Sequence, residues 1–487
     1  MVSLAAVSIS YGAELSLEQR VVEHTSPNGI KLLILERHFS PTVSVRMMFR
    51  TGSVDEVSGK TGLAHMFEHM MFKGTKTLGT KNYAAEAPLL RQVDELHQAI
   101  DHEKEKGPAA DQKRIGDLID QVRVVEEKAN ALVAVNELWS LYEREGASTL
   151  NANTAPDFTQ YMVDLPSNKI ALWAILDSDR IRNPVFRQFY QEREVVKEER
   201  RMRVDTNPEG KLYESFLAAA YTSHPYRNPT IGWESDLDHL YVTDLVDFYK
   251  KHYTPDALTI AIVGDVQAAD TIALVEKYFG GWRVPATAPF TPSDEPPQTG
   301  TRRIAVKFDA QPHVVLGFHI PGDPDPDKGV AFAVAHLLGA GTTSRLYKAL
   351  VEKKKVAASI ETSQDDPGER YPSLFIVSAS ARFPHTNDDV INAIEKELET
   401  LKKEPVQDWE MEKIRSAVEV GILDTLQTND GMAGTLVYNQ TVFRDWRYLL
   451  RFQKQIHEMK AVDLQNFAKK YFVKENETIA VLESTKK

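Results

Sequence analysis

The chain repeats itself, and that limits its architecture more than any other feature. "VTDLVDFYKKHYTPDALTIAIV" (242–263) matches "AVDLQNFAKKYFVKENETIAVL" (461–482). Asp244, Leu245, Phe248, Lys250, Lys251, Thr259, Ile260 and Ala261 recur 219 positions later as Asp463, Leu464, Phe467, Lys469, Lys470, Thr478, Ile479 and Ala480. Both copies read as an amphipathic helix followed by a strand. A second pair of segments agrees. "VSVRMMFRTG" (43–52) and "HVVLGFHIPG" (313–322) are strand-like and end in Gly. Each leads through a loop to a helix, "GLAHMFEHMMFKG" (62–74) and "GVAFAVAHLLGAG" (329–341). Two matched pairs in the same order imply two similar halves, and 487 residues are too many for one ordinary core.

The Pro-, Thr- and Gly-rich run "GGWRVPATAPFTPSDEPPQTGTRR" (280–303) reads as the joint. It divides the chain into a first domain, 14–283, a linker, 284–302, and a second domain, 303–487. The early segments are offset by 267 residues (62 to 329) and the late ones by 219 (242 to 461), so the first half carries 48 extra residues. Two apolar stripes account for them. Leu89, Val93, Leu96 and Ile100 form one, broken at Gly107-Pro108; Ile115, Leu118, Val122, Val125, Ala129, Leu132 and Trp139 form the other. The spacing predicts an inserted antiparallel helical hairpin over 87–144, read as a packing or rim element.

In this register His65 faces Phe332, Glu68 faces Ala335 and His69 faces His336. Residues i and i+4 share a helix face, so His65 and His69 can point at one Zn²⁺. Glu68 borders that face, in the H-E-x-x-H arrangement run backwards. Thr61 is the expected N-cap, and Leu63, Phe67, Met70 and Met71 the buried side. His336, alone in its copy, reads as structural. Zero cysteines remove disulfides, iron–sulfur clusters and thiolate zinc, so any metal site is built from His, Asp and Glu. A third ligand is sought in "QEREVVKEERRMRVDTNPEG" (191–210), where Glu192 and Glu199 lie two turns apart on one face. Glu194 and Glu198 compete by composition alone; most of these glutamates read as a solvated face with i,i+4 partners.

Reversed H-x-x-E-H, E-x6-E and the duplication together resemble the pitrilysin–insulysin (M16) metallopeptidases. The similarity is to the short two-domain branch that includes mitochondrial processing peptidase and its bacterial relatives. "GLAHMFEHMMFKGT", "EREVVKEE", "STLNANTAPDFTQYMVDLP" (148–166), "HPYRNPTIGWESDL" (224–237) and "GTTSRLYKAL" (341–350) carry it. The resemblance implies an α+β fold: two duplicated domains, each a mostly antiparallel sheet covered by helices on one face. It implies one Zn²⁺ per chain on His65, His69 and Glu199, with Glu68 as general base and Glu192 in support. Asn151, Ala152 and Asn153, with Thr154, would form a sheet edge that takes up peptide substrate as an added strand. The implied activity is zinc-dependent endopeptidase cleavage of peptides or unfolded segments in a chamber shared with a second M16-type subunit. Family members use an Arg and a Tyr seven apart; in "DDPGERYPSLFIVSASA" (365–381) those positions hold Gly368 and Phe375, while Arg370 and Tyr371 are adjacent. That implies a heterodimer with a zinc-free subunit supplying the pair, a homodimer being the fallback. The rivals are a non-catalytic scaffolding subunit of the same fold and a hydrolase of small non-peptide amides.

A net charge of −12 without a basic cluster disfavours nucleic acid, and no apolar run is long enough to span a membrane. The start, "MVSLAAVSISYGAELS", is apolar and small-residue-rich up to Ala13. It reads as a signal-peptide remnant over 1–13, giving a bacterial periplasmic or secreted location with the cytoplasm as alternative.

Overall fold

A computed structural model describes residues 16–284 and 290–485; the expected signal remnant at 1–13 lies outside them. Two sheets organise the described chain. The first orders its strands β1 (Val22–Thr25), β2 (Lys31–Glu36), β6 (Leu258–Gly264), β3 (Thr42–Phe49), β5 (Thr159–Pro166) and β4 (Thr149–Thr154). The second orders β7 (Arg302–Phe308), β11 (Glu477–Ser484), β8 (His313–Ile320), β10 (Ser373–Ala381) and β9 (Ala357–Asp366). Omit β1 and the two are the same diagram. β2 runs parallel to β6 as β7 does to β11, and every other pairing is antiparallel. The repeat seen in the sequence is therefore one topology used twice.

The matched segments fall where periodicity put them. Helices Val242–His252 and Ala461–Tyr471 each precede a central strand, β6 and β11. Those strands are buried along nearly their whole length, as sheets covered on both faces require. One face of each sheet packs against helices of its own half. The other face is covered by a helix from the opposite half. Helix Pro208–Ala220 lays Leu212, Phe216 and Leu217 on Val315, Ala480 and Leu482 of the second sheet. Helix Asn429–Phe443 lays Met432, Leu436 and Val437 on Leu33, Met48 and Ala261 of the first. Gly317 in β8 makes room for this exchange, since a Cβ there would lie 2.3 Å from the Phe216 ring. Buried Arg46 in β3 fastens the other crossing, with its Nε donating to Asp430 at 2.9 Å and Nη2 to Asp164 at 2.8 Å.

Within 87–144 lie the end of helix Tyr83–Lys104, helix Gln112–Asn130 and helix Glu137–Arg144. Asn82 and Asp111 cap the first two by accepting from Ala85 and Arg114 N–H groups. Val93, Leu96, Ile100, Ile115, Val122, Val125 and Ala129 are buried. Their polar neighbours grip the segment that opens helix Phe189–Arg200. Glu86 pairs with Arg187 at 2.9 Å, both buried, and the His97 ring stacks on Tyr190 at 3.6 Å.

Candidate metal centre

Helix Leu63–Met70 buries Leu63, Ala64, Met66, Phe67 and Met70 against the first core, which turns His65, Glu68 and His69 to its remaining side. Thr61 does not cap it. Gly62 intervenes with φ +90°, and the buried carboxylate of Glu56 accepts the free N–H groups of Gly62 (2.9 Å) and Ala64 (2.7 Å). Thr61 instead donates its hydroxyl to Asp236 at 2.7 Å and accepts from Trp233 N–H at 2.9 Å. The same loop holds the second helix of the site. Arg200, next to Glu199, donates to the Gly232 carbonyl at 2.8 Å. Gly232 has φ +89°, and a Cβ on it would lie 2.6 Å from the Thr61 carbonyl. Both helices are thus tied to residues 232–236, which fixes their separation.

Helix Phe189–Arg200 carries Glu192 and Glu199 and continues as a wider π-type turn, Arg201–Asp205. Glu199 Oε2 stands 3.6 Å from His65 Nε2 and 3.6 Å from His69 Nε2. One ligand atom from each of the three lies within 4.8 Å of the others, the one such group among the described residues. Zinc bonds of about 2.0–2.1 Å in a tetrahedron put neighbouring ligand atoms about 3.4 Å apart. The two nitrogens and one oxygen fit that ion.

Their surroundings suit it as well. His69 Nδ1 is 2.9 Å from Glu192 Oε1, and Glu192 Oε2 is 2.5 Å from Lys73 Nζ. A carboxylate on Nδ1 leaves the Nε2 lone pair facing Glu199. Burial works to raise the Glu192 pKa, but the His69 and Lys73 contacts overcome it and hold the carboxyl down at about 2. Burial pushes His65 down to about 3, helped by His69 and Arg203, which favours the neutral imidazole that metals bind. Arg203 Nη2 sits 2.8 Å from the other Glu199 oxygen. Glu194 and Glu198 face outward and pair with Lys197 and Arg201.

Glu68 is not among the grouped ligands. Its Oε2 accepts the Thr154 hydroxyl at 2.7 Å, while burial raises its pKa. Thr154 ends β4, the last strand of the first sheet, which also holds Asn151, Ala152 and Asn153. Sequence reasoning missed Lys73, Arg203, Arg200 and Glu56. Lys73 lies in the bend beyond the helix end at Met70, and Arg200 and Glu56 act through loops, so no helical period marks any of them. Gly368 and Phe375 offer no open side chain. Phe375 is fully buried in the second core, and a Cβ at 368 would lie 2.5 Å from Asp157 Oδ2. Arg370 is spent on Asp55, at 2.8 and 3.2 Å.

A duplicated α+β chain holding two histidines and a glutamate between two helices is the class these observations define. The family model for insulinase (peptidase family M16) matches residues 31–89 and 129–234, passing over most of the inserted hairpin. The model for the peptidase M16 inactive domain matches 239–418. The chain belongs to the M16 peptidase family. Zinc protease PqqE of Helicobacter pylori is 27% identical over 478 residues, 95% of this chain and 94% of that protein. A crystal structure of a protease from Helicobacter pylori superposes with a TM-score of 0.79 at 26% identity, over 95% of this chain and 99% of the other. The peptidase M16 inactive domain structure from Pseudomonas fluorescens gives a TM-score of 0.73 at 17% identity, over 96% and 98%.

Proposed function

We propose that this chain is a zinc-dependent endopeptidase acting on peptides or unfolded polypeptide segments. The observation that carries the reading is the convergence of His65, His69 and Glu199 donor atoms with Glu68 alongside them. When bound, zinc supplies Lewis acidity and brings the pKa of water from 15.7 down to about 7. Glu68 takes the proton from the attacking water and passes it to the leaving amine. Glu192 and Lys73 hold His69 in one tautomer, and Arg203 steadies Glu199. An extended substrate pairs with the outer edge of β4 at Asn151, Ala152 and Asn153, reading backbone more than side chains. Because Thr154 of that strand bonds Glu68, the base and the bound backbone stay in fixed relation.

The partner we propose is a second M16-type subunit without zinc that supplies the Arg and Tyr, because Gly368 and Phe375 occupy the corresponding positions here. A homodimer is the fallback. A scaffolding role is favoured by one observation, the match of 239–418 to an inactive-domain family. Metal analysis with a cleavage assay separates the two. One zinc per chain and chelator-sensitive cleavage of an unfolded polypeptide, over its rigid folded form, supports the peptidase. Zinc-free protein that cleaves nothing even with the partner added supports the scaffold. The proposed location is the bacterial periplasm or the exterior, with the cytoplasm as the alternative; cell fractionation tests it.

A further inference from the structure

The segment "HPYRNPTIGWESDL" (224–237) carries part of the family resemblance and none of the grouped metal ligands, yet both helices of the metal centre lean on it. The Gly232 carbonyl accepts from Arg200 of the glutamate helix, and Asp236 and Trp233 bond Thr61, just before the histidine helix. Internal hydrogen bonds make the segment one unit with Thr222 and Ser223 in front of it. Arg227 donates to the Thr222 carbonyl at 3.0 Å, and Tyr226 N–H to His224 Nδ1 at 3.2 Å. Gly232 N–H donates to the Pro229 carbonyl at 2.9 Å, and Trp233 Nε1 to Asn228 Oδ1 at 3.1 Å.

The linker holds the front of this unit. Residues 290–300 form neither helix nor strand, but Glu295 is locked in place, its side chain 8% exposed. Its carboxylate accepts the consecutive N–H groups of Thr222 (2.9 Å), Ser223 (2.9 Å) and His224 (3.1 Å), and the Thr222 hydroxyl at 2.8 Å. The Ser223 hydroxyl donates to the Asp294 carbonyl beside it. Successive N–H groups turned on one carboxylate form a nest, and such charge-assisted bonds are the strong ones. Burial works to raise the Glu295 pKa, but the Ser223, Thr222 and His224 N–H groups overcome it and hold the carboxyl below its ordinary value. The same stretch of linker is fastened to the second sheet. Gln298 donates to the Glu477 carbonyl at the start of β11, at 2.7 Å. Arg302, which opens β7, stands 3.8 Å from Glu295.

We propose that Glu295 is a positioning residue for the metal centre: through Thr222–His224 and the unit they open, it sets the separation of the helices carrying His65 and Glu199. Resting on the zinc reading above, this adds a determinant of the site that lies in the linker, outside both domains. Because Gln298 and Arg302 tie the same linker to the second sheet, the second half gains a hold on a site it does not touch.

Hydrogen exchange of the full, zinc-free chain tests it. Glu295→Gln should speed amide exchange about tenfold through 225–236 and in helices Leu63–Met70 and Phe189–Arg200, beyond the contact itself. Thr222→Val removes one of the four donors and should act the same way to a smaller degree; it carries the test if Glu295→Gln does not fold. Glu410→Gln takes a buried carboxylate from Arg345 (2.7 Å) in the second half, and should lower Tm without changing exchange in those segments. In zinc-loaded protein, Glu295→Gln should weaken zinc binding about fivefold in chelator competition and alter the visible spectrum of the Co²⁺-substituted form. Exchange that is unchanged or faster only at the linker and 222–224, or equal losses of zinc affinity in Glu295→Gln and Glu410→Gln, would overturn the proposal. A wild-type chain that binds no zinc would instead sink the zinc reading, with exchange still deciding the role of Glu295.

Discussion

Helix Leu63–Met70 and its counterpart Asp327–Gly339 hold equivalent places against β4 and β9, yet one presents His65, Glu68 and His69 and the other Phe332, Ala335 and His336. Around the first, most polar groups are answered, with Glu192 and Lys73 behind His69, Arg203 behind Glu199 and Thr154 on Glu68, while His65 Nδ1 is buried without a hydrogen-bond partner. Around the second, His336 stacks on Phe332 at 6.0 Å and burial lowers its pKa. Buried ionisable groups are costly unless paired or metal-bound. The comparison teaches that the scaffold makes no site by itself; the site comes from the glutamate helix and the contacts that orient it.

The largest effects break the contrast from the first side. His65→Ala or Glu199→Gln should take zinc from one per chain to near zero and abolish cleavage, read by metal analysis of purified protein. Glu68→Gln should keep the zinc and lower kcat by about 10²–10⁴-fold; metal loss in this variant would make Glu68 a ligand. From the second side, Ala335→Glu places a carboxyl at a position only 5% exposed. Without the supporting contacts it should destabilise the chain by about 3 kcal/mol, measured by denaturant unfolding; tolerance would mean that the second helix is free to carry a site. Lys73→Met should be the mildest, weakening zinc affinity by about 10–100-fold through Glu192 and His69. Competition with a chromogenic chelator reads it, with far-UV circular dichroism unchanged.

Much of the fold was legible because its signals are local. The 219-residue repeat marked both helix–strand pairs, and the glycine-flanked segments marked both histidine-position helices. The candidate site was legible for the same reason, since i,i+4 and i,i+7 spacings are properties of one helix. The crossed helices Pro208–Ala220 and Asn429–Phe443 were not. Nothing in the pattern of either segment says which half it will cover. The cap on the histidine helix escaped for a similar reason: a carboxylate from Glu56 reaches over a turn whose backbone depends on Gly62. Arg200, anchored on Gly232, belongs to a loop contact that only the folded chain assembles.

The account rests on one ion shared by two helices. Crystals grown with zinc and measured on both sides of its absorption edge should show a single strong anomalous peak per chain, bounded by His65 Nε2, His69 Nε2 and a Glu199 oxygen. A peak elsewhere, or none with those three side chains turned apart, would contradict it.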